Sequence, residues 1–274
     1  MTTNERTVFY VSDGTGITAE TLGQTLLTQF PNYTFTRVHI PFVDSEKKAQ
    51  AAVKKINSST RNKGVTALVF CTVVDDEIRE VMKSCNALFF DFFETFITPM
   101  EQELGCTSSH AVGRSHGMSD SSVYLDRMNA VNFAVDNDDG VTTMNYDRAD
   151  IILVGVSRSG KTPVSLYLAL QHGIHAANYP LTEEDLDKSY IPEILEPYRE
   201  KLFGLIIDPI RLQKIRYARR PDSRYSSLNQ CRMEVTQIQK IFKREKIRHV
   251  DSTSKSVEEI CATILQLTGL KRNN

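Results

Sequence analysis

Short apolar runs alternate with helical patterns along almost the whole chain, and this alternation restricts the fold more than any other feature of the sequence. Such runs predict buried strands. They lie at 7–11, 38–43, 65–71, 87–91, 150–154, 202–208 and 247–251. Strands separated by helices indicate βαβ units, whose strands run parallel in one sheet. We therefore predict an α/β protein, with a mostly parallel βαβ domain at the N-terminus and a second α/β domain at the C-terminus.

A polar segment separates the two halves of the chain. Residues 101–149 are rich in Ser, Gly, His, Asp and Asn, and we expect them to hold a helix at about 119–134 within an inter-domain segment. The next apolar strand begins at Asp150. We therefore place the boundary at residue 148, which gives domains at 1–148 and 149–274.

Helical spacing predicts which side chains face the core. The expected sets are Leu22, Leu26 and Phe30 in the first helix, Leu166 and Leu170 in a helix at 161–172, and Ile260, Ile264 and Leu267 in the last helix. Further helices are expected at 211–220 and 228–244. The last helix is predicted to start at Ser256, because Glu259 follows three residues later and completes a capping box.

Composition excludes several classes of protein. The 274 residues carry 33 Lys and Arg against 34 Asp and Glu, a balance that argues against a nucleic-acid-binding protein. No apolar stretch approaches the 18 or so residues of a membrane span. The five cysteines are scattered and none forms a C-x-x-C pair, which argues against a zinc site or a disulfide framework. Without a signal-peptide pattern at the first residues, we expect a cytoplasmic protein.

One segment matches the phosphate-binding pattern G-x-x-x-x-G-K-[ST] in full. It comprises Gly155, Val156, Ser157, Arg158, Ser159, Gly160, Lys161 and Thr162. Glycines let the backbone wrap around a phosphate, and amide N–H groups then point inward at the positive end of the following helix. Lys161, which we expect on a solvent-facing loop, would supply a cation, and Thr162 would supply a hydroxyl for Mg²⁺. We predict a nucleotide-binding loop in a kinase-like domain.

This loop does not specify the reaction, since kinases, ATPases and GTPase switches all use it. The N-K-x-D motif, with which GTPases recognise guanine, does not occur in the sequence, and this makes a GTPase the less favoured interpretation. A second acid is expected near the metal, commonly at the end of an apolar strand. Asp208 fits best, and Asp91 and Asp75 also fit; the alternative for each is a helix cap.

Basic groups follow Asp208 closely. Arg216, Arg219 and Arg220 would share one helix face, and with Arg211 they are candidates to clamp a phosphate. A solvated basic face or a docking surface for an acidic partner are the alternatives. His116, in the polar segment, is either an acid, base or phosphate contact, or an ordinary surface residue.

The first turn, Ser12 to Thr18, also follows a strand and opens a helix. Its hydroxyls and two glycines would suit a second anion-binding site. The alternative, which composition favours, is a plain βα turn capped by Thr15 or Thr18.

Several blocks resemble the bacterial and plastid family of regulatory proteins of pyruvate,phosphate dikinase and phosphoenolpyruvate synthase. Residues 11–20 resemble the family's opening motif and 154–163 its phosphate loop. Blocks at 176–181, 202–205 and 225–235 are similar to later family motifs in the same order. The resemblance covers about residues 6 to 268, and the branch that regulates phosphoenolpyruvate synthase is the most similar. Gly14 departs from the pattern, where a larger, often basic residue is expected, and this weakens a phosphate role for the first turn.

The resemblance implies a bifunctional enzyme. Members of the family inactivate a dikinase by phosphorylating a threonine beside its catalytic histidine, with ADP as the donor. They reactivate it by phosphorolysis, in which inorganic phosphate attacks the phosphothreonine and pyrophosphate leaves. The resemblance therefore implies ADP and inorganic phosphate as substrates, use of Mg²⁺, and phosphoenolpyruvate synthase as the protein partner.

The activity that the resemblance implies predicts roles for individual residues. Lys161 would neutralise charge on the transferred group, and Asp208, His116 or Asp139 would accept the threonine proton. Arg158, Arg211, Arg216 and Arg220 would suit the phosphate of the second reaction. The alternatives are the same chemistry on pyruvate,phosphate dikinase, an ATP-dependent kinase of a small metabolite, or a nucleotide sensor that only blocks the dikinase. The oligomeric state, including a homodimer, is left open.

Overall fold

The computed structural model describes residues 4–109, 121–140, 143–188 and 190–271. The chain divides into two compact units, Met1–Gly117 and Met118–Asn274. The division thus precedes the helix expected at about 119–134, instead of following it at residue 148. The reason is that this helix, Ser121–Asp136, packs against a helix and an edge strand of the second unit.

The first unit contains a four-stranded parallel sheet, as predicted. Its strands are β1 (Glu5–Ser12), β2 (Thr34–Ile40), β3 (Ala67–Thr72) and β4 (Ala87–Asp91), in the order β2-β1-β3-β4. Its helices are α1 (Ile17–Leu27), α2 (Glu46–Lys63), α3 (Asp76–Lys83) and α4 (Phe92–Leu104). One sheet face packs against α2 and α3, and α1 packs against the other.

The predicted core face of α1 is wrong. Ala19, Gly23 and Leu27 are buried, whereas Leu26 is 44% and Phe30 56% exposed. Gly23 explains why α1 turns this face to the sheet and not the predicted one. A Cβ at Gly23 would lie only 2.7 Å from the Phe70 ring, so the helix approaches the sheet along its small residues. Small side chains permit this close packing, which apolar spacing alone does not reveal.

The first turn uses its polar groups internally. The Ser12 hydroxyl accepts from the Gly14 amide at 3.1 Å, and the Asp13 carboxylate accepts from the Val74 amide at 2.7 Å. The N-cap of α1 is Gly16, at φ +84°, and no side chain caps the helix. The expectation that Thr15 or Thr18 caps it is therefore wrong.

The second unit contains a second parallel sheet. Its strands are β5 (Ile151–Gly155), β6 (Ala176–Pro180), β7 (Leu202–Ile206) and β8 (His249–Asp251), in the order β6-β5-β7-β8. Its helices are α5 (Ser121–Asp136), α6 (Lys161–His172), α7 (Glu183–Lys188), α8 (Pro209–Arg219), α9 (Leu228–Glu245) and α10 (Val257–Thr268). Three short 3₁₀ segments lie at Tyr146–Arg148, Glu193–Lys201 and Arg224–Ser226. Strand β6 was not among the predicted strands, because Ala-Ala-Asn-Tyr-Pro holds no β-branched residue.

Two predicted helix faces in this unit need correction. In α6, Val164 and Leu168 are buried, while Leu170 is 54% exposed. In α10, Ile260 and Ile264 are buried as expected, but Leu267 is exposed. The capping box at Ser256 and Glu259 is confirmed. Across the described residues, no helix has the length and apolarity needed to cross a membrane.

Candidate active site

The loop between β5 and α6 lies where the strand order of the second sheet reverses. Strand β5 has β6 on one side and β7 on the other, so the chain continues from β5 to one side of the sheet and later returns to the other side. In open parallel sheets, ligands bind at the carboxyl ends of the strands at such a point. The fold therefore places the segment Gly155 to Gly160 at the position best suited to a ligand.

The loop backbone depends on its glycines. A Cβ on Gly155 would lie 2.7 Å from the Leu205 carbonyl oxygen, so the neighbouring strand excludes any side chain there. Gly160 has φ +97°, a left-handed conformation that favours glycine. Arg158, at φ +74°, is also left-handed and its side chain is exposed. These constraints give the strand–loop–helix geometry that phosphate-binding loops share.

Lys161 is buried, and the expectation that it lies on a solvent-facing loop is wrong. It is the first residue of α6 and is 3% exposed. Its Nζ donates to the carbonyl oxygens of Gly155 at 3.1 Å and Val156 at 3.0 Å, so the side chain folds back over the loop. Burial lowers the pKa of Lys161 to about 8, against the opposing effect of Asp139 and Asp138.

Three residues from separate elements form a polar cluster beside Lys161. The Thr162 hydroxyl donates to the Asp138 carboxylate at 3.0 Å. The Asn178 side-chain amide donates to both Asp138 and the Thr162 oxygen, the latter at 3.2 Å. Backbone hydrogen bonds fix this arrangement. The backbone N–H of Asn178 donates to the Asn137 carbonyl, and the backbone N–H of Gly140 donates to the Asn178 carbonyl, both at 3.0 Å.

Sequence reasoning did not assign Asp138 or Asn178 a role at the metal. Asp138 lies in the polar run Asp136 to Gly140, and that run was the one available signal. It follows a helix, whereas the second acid of a phosphate-binding site is expected at the end of an apolar strand. Its neighbour Asp139, a predicted base, is exposed and has φ +51°.

The three strand-end acids are all helix caps. Asp208 accepts from the amides of Ile210 and Arg211, both at 2.9 Å, and caps α8. Asp75 and Asp91 lie in the first unit, where they cap α3 and α4, and Asp91 also pairs with Arg79 at 3.2 Å. The capping alternative is therefore confirmed for each. A catalytic part for Asp208 stays a prediction, and His116 lies outside the described residues.

The arginines after Asp208 do not share one face. Arg216 is 1% exposed and pairs with Glu234 at 2.6 Å, while Arg211, Arg219 and Arg220 are exposed. Arg216 also donates to the Ser157 carbonyl at 3.1 Å through Nη2. The predicted three-arginine face is wrong, because Arg216 turns inward towards the loop and away from solvent.

The donor set beside the loop fits Mg²⁺. Thr162 and Asp138 offer a hydroxyl and a carboxylate, and Oδ1 of Asn178 is buried without a hydrogen-bond partner among the described residues. Mg²⁺ prefers such oxygen ligands, is held by one or two carboxylates, and takes its remaining ligands from phosphates and water. No group of three or more His, Cys, Asp or Glu side chains that could hold a metal occurs in the described ranges, and this donor set contains a single carboxylate beside a hydroxyl and an amide.

These features define an α/β protein of two parallel-sheet units, with a strand–loop–helix segment in the second whose sequence matches the phosphate-binding pattern. The chain belongs to the kinase/pyrophosphorylase family, whose profile matches residues 8–265.

Curated relatives are similar over nearly their full length. A protein of Pseudomonas aeruginosa is 53% identical over 268 residues, which cover 98% of each chain, and is named "Putative phosphoenolpyruvate synthase regulatory protein". Proteins of Marinobacter nauticus, 53% identical over 98% of this chain and 99% of theirs, and Stutzerimonas stutzeri, 52% identical over 98% of each, carry the same name.

Proposed function

We propose that this protein is a bifunctional serine/threonine kinase and phosphorylase that regulates phosphoenolpyruvate synthase. The family description and the name of the relatives support a phosphotransferase that acts on this partner. The observation that carries the proposal is the pairing of Thr162 with Asp138 beside Lys161, since it gathers a hydroxyl, a carboxylate and an amine next to a phosphate-type loop.

In this proposal the loop receives the β-phosphate of ADP. Backbone amides at the start of α6 and the Lys161 amine would hold its oxygens and neutralise charge that develops during transfer. Asp138, Thr162 and Asn178 would hold Mg²⁺, which when bound would act as a Lewis acid on the phosphoryl oxygens. Burial of Lys161 strengthens its interaction with phosphate, because the site is shielded from water.

The forward reaction moves one phosphoryl group. The target threonine oxygen forms a bond to the β-phosphorus of ADP, the bond from that phosphorus to the bridging oxygen breaks, and AMP leaves. The hydroxyl proton needs an acceptor, and Asp139 suits this role because its carboxylate is exposed next to the Asp138 cluster. Asp138 itself already accepts from Thr162 and Asn178.

The second reaction needs no such base. Hydrogen phosphate attacks the phosphothreonine phosphorus, the bond to the threonine oxygen breaks, and pyrophosphate forms. The proton that the attacking phosphate carries ends on the threonine oxygen, so the step balances without a protein acceptor. Two anions must approach each other here, and the exposed Arg158, Arg211 and Arg220 are the cations we propose to offset their repulsion.

The proposal is tested by mass spectrometry of the partner. Purified protein is incubated with phosphoenolpyruvate synthase and ADP, and phosphothreonine with release of AMP is the expected result. Addition of phosphate should then remove the modification and yield pyrophosphate. Modification of pyruvate,phosphate dikinase alone would reassign the target. Transfer from ATP to small acceptors only, or inhibition of the synthase without covalent phosphate, would overturn the proposal.

A further inference from the structure

Two carbonyl groups of the loop are held by side chains from distant parts of the second unit. The Ser157 carbonyl accepts from Arg216 through Nη2 at 3.1 Å and Nε at 3.3 Å. The Ser159 carbonyl accepts from the Ser252 hydroxyl at 2.8 Å. Both carbonyls are thus fixed from outside the loop, by α8 and by the residue after β8.

Fixing a carbonyl also fixes the next amide. In a trans peptide the C=O and the following N–H point in opposite directions, and no cis peptide occurs in the described residues. Arg216 therefore sets the direction of the Arg158 N–H, and Ser252 sets that of the Gly160 N–H. Within the described part of the chain, neither N–H donates to a backbone or side-chain acceptor. Both are consequently free to serve a bound anion.

Arg216 is itself held rigidly. Its guanidinium forms a two-point pair with Glu234, at 2.6 Å and 3.1 Å, and lies 4.2 Å from the centre of the Tyr225 ring. The Tyr225 hydroxyl contacts the Ser157 hydroxyl at 3.0 Å. A buried ion pair alone is weak evidence for stability. Its contact with a loop carbonyl instead indicates a part in shaping the loop.

We infer that Arg216 and Ser252 are positioning residues, which aim the amides of Arg158 and Gly160 at the β-phosphate of the nucleotide. The inference rests on the proposed function, in which the loop takes the terminal phosphate of ADP. Selectivity for ADP over AMP is the property that these two residues should control, since only ADP has a phosphate to meet both amides.

The test measures dissociation constants of ADP and AMP by calorimetry. Ser252→Ala removes one hydroxyl, and the half-buried position should tolerate the change. The Gly160 amide would then be aimed less well at the charged phosphate, so the dissociation constant of ADP should rise about tenfold, which equals about 1.4 kcal/mol, with AMP binding changed less than twofold. Ser252→Thr retains a hydroxyl and is the matched control, with selectivity near that of the wild type.

Arg216 is tested together with its partner. Arg216→Met alone would leave Glu234 buried and unpaired, so the double variant Arg216→Met, Glu234→Met is used, because apolar replacements of a buried pair often preserve the fold. It should also lose about tenfold in ADP affinity with AMP binding nearly unchanged. Unchanged selectivity in folded variants, or equal losses for ADP and AMP, would overturn the inference. A wild-type protein that binds ADP no better than AMP would instead overturn the proposed function.

Discussion

The hydroxyl of Thr162 lies 3.0 Å from Oδ1 of Asp138, although 24 positions separate the two residues in the chain. Thr162 stands in the first turn of α6, and Asp138 stands in the turn that follows α5. The contact exists because α5 packs against α6 and the backbone of residues 137–140 pairs with Asn178. The Asp138 carboxylate thereby lies beside the loop from Gly155 to Thr162, although Asp138 is not part of the loop's sequence motif.

The first prediction concerns this pair. Asp138→Asn keeps the shape but removes the charge, and Thr162→Val keeps the shape but removes the hydroxyl. Each should lower transfer in both directions by about 10²-fold or more, because each would remove one of the proposed oxygen ligands of Mg²⁺. Rates are measured over a range of Mg²⁺ concentrations, with Thr162→Ser as the control that retains the hydroxyl. Full activity of Asp138→Asn at low Mg²⁺ would contradict the metal assignment.

The second prediction separates Asp139 from Asp138. Asp139→Asn should reduce phosphorylation by about 10²-fold, the range for general base catalysis, and phosphorolysis far less. The physical reason is that phosphate enters the second reaction already anionic and carrying its own proton. Single-turnover rates in both directions test this, with the exposed Asp136→Asn as the matched control. Equal losses in the two directions would remove Asp139 as the base.

The third prediction concerns Lys161. Lys161→Met retains the buried stem but removes the cation, and both activities should fall by about 10²- to 10³-fold, as when a donor to a developing charge is removed. Circular dichroism and thermal melting check that the variant is folded. Loss of only one activity would indicate two separate sites, and a folded variant with normal rates would exclude Lys161 from catalysis.

The fourth prediction is a pH dependence. Burial lowers the pKa of Lys161 to about 8, so the free protein loses this charge as the pH rises through that value. ADP affinity should therefore fall between about pH 8 and 9.5, and Lys161→Arg, which stays charged, should not show this fall.

Stability gives a separate readout of the same group. The pKa in the unfolded chain is near 10.4, so between about pH 8 and 10.4 the unfolded state binds more protons. The contribution of this lysine to the free energy of unfolding should rise with pH across that window, and Lys161→Met should remove the rise. Denaturant melts of both proteins at pH 7.5 and 9.5 test the sign.

The fifth prediction concerns the exposed arginines. Arg211→Ala and Arg220→Ala should reduce phosphorolysis several-fold more than phosphorylation, because only phosphorolysis brings two anions together. Both rates are measured at two concentrations of the synthase. A loss that is equal in both directions and relieved at high concentration would indicate a docking surface, and unchanged rates would indicate a solvated face. Arg219→Ala provides a neighbouring exposed control.

Local patterns in the sequence determined much of the fold. Parallel βαβ units, the loop from Gly155 to Thr162 and the capping box at Ser256 all follow from signals within a few consecutive residues. The conformational rules behind them, such as glycine in left-handed turns and caps for free amides, act over one turn of chain. These local features can therefore be predicted without knowledge of the tertiary contacts.

Tertiary packing alone decided the rest. Arg216 follows the same helical spacing as Arg219 and Arg220, yet it is buried because Glu234 and the Ser157 carbonyl face it. The close approach of Gly23 to Phe70 selects the buried face of α1, and β6 brings Asn178 to Asp138. Each depends on residues that are distant in the chain, and helical or strand periodicity carries no information about which of two suitable faces meets a partner. The sequence by itself thus determined the strand–loop–helix segment around Gly155 to Thr162, whereas the carboxylate beside it and the arginine behind it were decided by how the helices pack.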